Sequence, residues 1–416
     1  MKPGRVPVPL AVCALLALLA SCGGNKDALG DRIAGTALTI YSSMPLSGAS
    51  SVSGQAALNG ERLALNRIGG RIGKYRISLK SLDDSTAQLG EWDPGQTTSN
   101  ASRAIQDKRT IGYIGELNSG ASAVSIPLLN RLGIPQISPA STAVGLTTGA
   151  PGASPGEPQK YYPTGVRTFA RVVPNDKVGA AAIVRLQLGL GCKQVYVLED
   201  GEVDGEDTAA TFELEAKGSP LKVVAIQMFD PKATDYSSLA QSVAQTGANC
   251  VLISAIADTH AALLSEQVAT ALPTATVIGS AGLAESTYAD PSQGGIPLTI
   301  DPRVMVVVAT LNPASYPPAA RGFYAAYERR YGAAQPDAIF GYEAMSLMLN
   351  AIDRATDHGR EAALRSNVRR AILTTRDRHS VLGIYSINRN GDTTLDQYGI
   401  WRVVDGRLRF RNVIAP

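Results

Sequence analysis

Short runs of β-branched residues alternate with helix-period segments along most of this chain, and no other feature constrains its fold as much. Residues 37–41 (ALTIY) precede 55–68, where Ala57, Ala64, Leu65 and Ile68 fall on one helical face and Gly69-Gly70 ends the segment. Strand-like text follows at 76–82 and 111–114, then a helical pattern through Val124, Leu128 and Leu129, then a short apolar run at 135–137. Such alternation predicts parallel sheets with helices on both faces. The pattern stops at 149–165 (GAPGASPGEPQKYYPTG), where Pro and Gly sustain neither element. It restarts with a strand at 168–173, a helix at 176–188, and strands at 194–198, 222–229, 250–254, 275–279 and 304–309. Helical text at 324–331 and 338–355 leads to β-type text at 381–387 and 398–404, with Asn390-Gly391 and Asp405-Gly406 as turns. Two doubly wound α/β lobes are the simplest account. Ligands of such sheets bind outside the carboxyl ends of the strands, so the cleft between facing lobes is the expected site.

The N-terminus reads as an export signal. Lys2 and Arg5 precede an apolar run at 10–20 (LAVCALLALLA), too short to span a bilayer, and Leu19-Ala20-Ser21-Cys22 resembles a bacterial lipobox. On that reading residues 1–21 are removed, Cys22 is acylated, and the small polar residues of 22–36 form a tether. An ordinary secretory signal with an incidental cysteine is the alternative. About 395 residues then remain, enough for two domains. Net charge is +3 with 18% charged residues and no basic stripe, which argues against nucleic acid as a partner. Past Cys22 the cysteines are Cys192 and Cys250, compatible with one disulfide.

Catalytic signatures are sparse. His260, His358 and His379 lack zinc-ligand spacing, and there is no Walker loop or dinucleotide fingerprint. The expectation is a binding protein without cofactor or metal.

Several stretches in fixed order carry a resemblance: 44–48 (MPLSG), 54–70 (GQAALNGERLALNRIGG), Asp83-Asp84, 137–142 (ISPAST), 169–179 (FARVVPNDKVG), 340–351 (FGYEAMSLMLNA) and 401–406 (WRVVDG). Together they resemble type I periplasmic binding proteins of the branched-chain amino-acid receptor family. The resemblance implies lobe 1 over 37–172 plus 305–387 and lobe 2 over 173–304 plus 388–416, joined by crossings near 171–174, 308–313 and 386–390. It implies capture of a small polar, carboxylate-bearing ligand and delivery to an ABC permease with its ATPase; ligand sensing or envelope assembly without transport is the alternative. A ligand carboxylate would be held by Ser119 and Thr142 and by backbone groups at Ala140 and Ser141, although Ser119 and Thr142 can equally be read as helix caps. On the ammonium side the family's acidic position falls on Ala281, and its pocket aromatics on Ser53 and Ile256. Asp176 matches an acidic residue near the crossing, and an aspartate there also reads as an N-cap.

Residues 199–207 (EDGEVDGED) hold six carboxylates in nine positions. They read as solvated helix-start charges, as partners for a cationic ligand through Asp200 or Asp204, or, less fittingly, as calcium ligands. In this topology the strands that follow Cys192 and begin at Cys250 are neighbours, which places a Cys192–Cys250 disulfide within reach; two buried thiols are the alternative.

Overall fold

A computed structural model describes residues 30–150 and 152–416. The export signal, Cys22 and residues 22–29 of the expected tether lie outside the described residues. The first lobe carries strands β1 (Ala37–Met44), β2 (Arg71–Ile72), β3 (Tyr75–Asp83), β4 (Thr110–Ile114), β5 (Gln136–Ser138) and β6 (Phe169–Arg171), and helices α1 (Ser51–Arg67), α2 (Pro94–Gln106) and α3 (Ser119–Asn130). The second lobe follows with α4 (Asp176–Gly189), β7 (Gln194–Glu199), α5 (Val203–Lys217), β8 (Lys222–Met228), α6 (Ser237–Gln245), β9 (Cys250–Ser254), α7 (Ala261–Ala271), β10 (Thr276–Gly279), α8 (Ser286–Ala289) and β11 (Val304–Val308). The chain then forms α9 (Ala319–Tyr331), α10 (Ala338–Ala355) and α11 (Arg365–Leu373). It ends with the two-residue strands β12 (Arg378–His379) and β13 (Ile384–Tyr385) and the hairpin β14 (Tyr398–Val404) and β15 (Arg407–Ile414).

The sheets run β2-β3-β1-β4-β5-β6 and β15-β14-β11-β10-β9-β7-β8. Order reverses between β1 and β4 in one and between β7 and β9 in the other, so each sheet has a crevice at the carboxyl ends of its strands. β4, β9 and β11 are buried along their whole length, as expected for parallel strands covered on both faces. The outer strands differ from the all-parallel expectation: β2 pairs antiparallel with β3, and β14 and β15 close the second sheet antiparallel.

β11 pairs with β10 and β14, so it belongs to the second sheet. The expected lobe boundary at 304/305 therefore moves to the loop after Val308, because a fully apolar VMVVV run is buried between two strands of that sheet. Only then does the chain return to pack α9 and α10 on α1, and α11 on β4. Helices α1 and α10 approach closely at Gly60 and Gly341; a Cβ at Gly60 would strike the Ala338 carbonyl, and one at Gly341 the Ala57 carbonyl. The expected tether is also shorter than its composition suggested. From Gly30 on it is docked: Asp31 accepts from Ser366 N–H and Oγ (2.7 and 2.6 Å) at the start of α11, and Ile33 N–H donates to Ala363 O. Cys192 and Cys250 are joined by a disulfide with Cα atoms 5.8 Å apart, at the neighbouring entries to β7 and β9.

Candidate functional site

The carboxyl ends of both sheets meet around one cavity of about 80 Å³, partly open to solvent. The first lobe supplies Ser50 before α1, Asn118 and Ser119 after β4, Ala140 and Thr142 after β5, and Asp337 and Phe340 at the start of α10. The second supplies Asp204 at the start of α5, Ile256 after β9, and Ala281, Gly282 and Glu285 after β10, with Thr310 from the crossing.

The lobes are closed on this cavity by side chains of α5. Asp204 Oδ1 accepts from Thr142 Oγ1 (2.7 Å) and Ser119 Oγ (3.3 Å). One turn on, Asp207 accepts from the Val144 and Gly145 N–H groups (2.8 and 3.4 Å), opposite-lobe donors at the head of a short 3-10 turn. At the other rim Ser50 Oγ donates to Asp258 (2.6 Å) and Thr287 Oγ1 to Ala49 O (3.2 Å).

Of the residues expected at the site, Ser119, Ala140, Thr142, Asp204, Ile256 and Ala281 line the cavity; Ser53, Ser141, Asp176 and Asp200 do not. Ser119 and Thr142 are not helix caps. Asn118 holds the cap position of α3, and Ser119 Oγ accepts from the Thr142 and Ala143 N–H groups (3.1 and 3.2 Å), which ties the two binding loops together. The backbone groups expected to face a ligand are engaged inside their own loop, since Ala140 and Ser141 N–H both donate to Ser138 Oγ (3.1 and 2.8 Å). Ser141 Oγ is turned inward onto the Glu116 carbonyl. Asp200 accepts from the N–H groups of Ile256 and Glu202 and from Thr259 Oγ1, so it shapes the 256–259 loop from behind. Asp176 is the first residue of α4, whose cap is Asn175, and it is buried behind Asp204. Burial, then the neighbouring charges of Asp204 and Asp207, push its carboxyl well above the usual range. Asp200, Asp204 and Asp207 are thus committed to protein donors, which corrects the reading of residues 199–207 as solvated charge.

The residues missed from sequence include Ser50, Asn118, Thr310, Glu285 and Asp337. Glu285 ends the loop whose Ala281 seemed to leave the second lobe without an acid, and it is 7% exposed. Burial, then the nearby Asp337, raise its carboxyl well above the ordinary value, with the Ser53 hydroxyl opposing. Burial pushes Asp337 up to about 6. The signal was available: an acid four residues past the expected position, on a loop whose length was not fixed by any motif.

Two open sheets facing each other across one cavity at their strand ends make this a two-lobed cleft protein of the type I periplasmic binding fold. A family model described as periplasmic binding protein matches residues 41–406, and the chain belongs to that family. Among solved structures, a leucine binding protein from Thermotoga maritima is 21% identical, with 91% of this chain and 99% of that chain covered at a TM-score of 0.75. A branched-chain amino acid transporter substrate binding protein from Streptococcus pneumoniae, in complex with isoleucine, is 17% identical with coverage of 92% and 100% and a TM-score of 0.73. A solute binding protein from R. palustris, in complex with benzoate, is 18% identical with coverage of 91% and 97% and a TM-score of 0.71. No curated protein sequence matches the chain. Among the described residues no helix is long and apolar enough to cross a membrane.

Proposed function

We propose that this protein is an extracytoplasmic solute-binding protein, held at the cell membrane by lipid on Cys22, that encloses a small polar ligand between its lobes and delivers it to an ABC permease and its ATPase. The observation that supports it most is the cavity itself: it is assembled from loops of both lobes at the strand ends, so closure and enclosure are one event. Solved relatives described as transporter substrate-binding proteins point the same way. A hydrogen-bond acceptor on the ligand, such as a carbonyl, can reach Ser119 and Thr142 in the first lobe alone, before closure brings Asp204 onto the same hydroxyls. Binding rather than catalysis is the activity proposed.

Native mass spectrometry of the purified protein is expected to find a co-purified small molecule, and scattering in solution to show compaction when that molecule is added back. A chain that retains no solute and compacts with none in a metabolite library is not a solute-binding protein. For the anchor, each acyl methylene buried in the membrane contributes about 0.8 kcal/mol, so Cys22→Ala should move the protein from the membrane to the soluble fraction. A variant still in the membrane pellet after a high-salt wash refutes the lipid.

A further inference from the structure

Resting on that reading, the geometry points to a class of ligand: a small organic cation, an ammonium or amidinium head group without a neighbouring free carboxylate, is the preferred occupant of the closed cavity. Among the described residues three ionisable side chains line it, Asp204, Glu285 and Asp337, and all three are acids; no Lys, Arg or His does. Glu285 is the decisive one. It is more than nine-tenths buried, lies on the cavity wall and, among the described residues, pairs with no cation, the Ser53 hydroxyl being the donor that offsets its burial. An ionised carboxylate in such a place is costly unless a positive partner arrives.

The donors expected to hold a ligand carboxylate are already taken by the protein's own groups. Ser119 Oγ and Thr142 Oγ1 donate to Asp204, and the Ala140 and Ser141 N–H groups to Ser138 Oγ. A second carboxylate in the closed site would have to displace Asp204 and remain beside it with no cation lining the cavity, a like-charge contact in a low-dielectric enclosure. The field outside has the same sign. Burial, then the charges of Asp258 and Glu202, raise the Glu91 carboxyl against Lys232, and burial, then the charges of Asp204, Asp258 and Glu206, raise Glu202 against the Trp92 hydrogen bond. Such a rim concentrates cations and repels anions. Among the described residues no three of these groups come together as a metal-ligand set, which favours an organic cation over a metal ion.

The test uses matched pairs on the full chain: isoamylamine against leucine, which adds the carboxylate, and benzylamine against benzoate. Calorimetry at pH 7 is expected to give each amine at least tenfold tighter binding than its carboxylate partner. Asp204→Asn should shrink that ratio by tenfold or more, chiefly by admitting the carboxylates, and Glu285→Gln should weaken the amines by tenfold or more. Thermal unfolding of both variants checks that they remain folded. Leucine or benzoate binding to the unmodified protein as tightly as its amine overturns the inference while leaving solute capture intact. Ratios unchanged in both folded variants, or binding by neither amine, overturn it as well. Failure of solute capture itself is read separately, from the absence of any retained solute and of compaction.

Discussion

Replacing Arg171 by methionine is expected to destabilise the protein by about 3–5 kcal/mol, the range for removing one partner of a buried ion pair. Arg171 ends β6 with no exposed surface, and its guanidinium meets Asp392 at 2.8 Å. It also donates to the carbonyls of Ser141 (3.0 Å) and Ala143 (2.8 Å) and to Thr147 Oγ1 (2.6 Å). One side chain therefore ties the first lobe's binding loop to the chain segment of the last crossing. Burial opposes ionisation of Asp392, yet Arg171 and Thr147 together hold its carboxyl below the usual range. Methionine keeps the bulk and strands both the carboxylate and the carbonyls. Urea unfolding should show the loss, and Arg171→Met with Asp392→Asn should recover a substantial part of it, because the double variant leaves no unpaired charge. A single variant within about 1 kcal/mol of the parent would show that the pair does not hold the crossing. The same single variant should bind solute more weakly, since Ser141 and Ala143 flank Thr142.

Glu61 is expected to make stability fall as pH rises. It lies in α1 with no exposed surface, accepts from Ser42 Oγ at 3.1 Å through one oxygen, and leaves the other without a partner. Burial raises its carboxyl from 4.5 to about 8, against the Ser42 hydrogen bond and the Arg62 charge. The unfolded chain releases this proton near its ordinary value while the folded chain keeps it. The contribution is therefore complete below about pH 4.5 and is lost as pH climbs to about 8, at about 1.4 kcal/mol per unit and on the order of 5 kcal/mol in all. Glu61→Gln keeps the acceptor for Ser42 and cannot ionise. Its amide adds a buried donor without a partner, a fixed penalty of about 1–3 kcal/mol at every pH. The variant should be the weaker protein at pH 5 and draw level with or pass the parent by pH 8.5. Other buried acids, Glu116 among them, titrate alike in both proteins and cancel in the comparison. Parallel stability curves for parent and variant between pH 5 and 8.5 would remove Glu61 as the source.

Much of the fold was legible because it follows from neighbouring residues. ALTIY, the fully apolar VMVVV run and the helical face through Ala57, Ala64 and Ile68 declare their elements by period alone, and β1, β11 and α1 form there. What the period did not carry was partnership. VMVVV suits a strand of either lobe, and only its pairing with β10 and β14 assigns it to the second sheet.

At the site, sequence by itself determined which chemistry was on hand: hydroxyls after β4 and β5, acids at the start of α5, and two cysteines at strand entries. Residue type and position relative to a strand end are local properties, so Ser119, Thr142 and Asp204 could be named as candidates. Their roles could not. Asp204 meets Ser119 and Thr142 across 85 and 62 residues of chain, and only lobe closure makes it the occupant of hydroxyls expected to hold a ligand. Asp200, four residues before Asp204 in the same acidic run, faces the 256–259 loop instead of the cavity. Glu285 and Asp337 become one acidic wall because the chain crosses between lobes after Val308 and brings the start of α10 back to the second lobe's loops. The physical reason is the same in each case. A carboxylate's character is set by desolvation and by the charges and donors around it, and both are supplied by residues far away in the chain and near only in the fold.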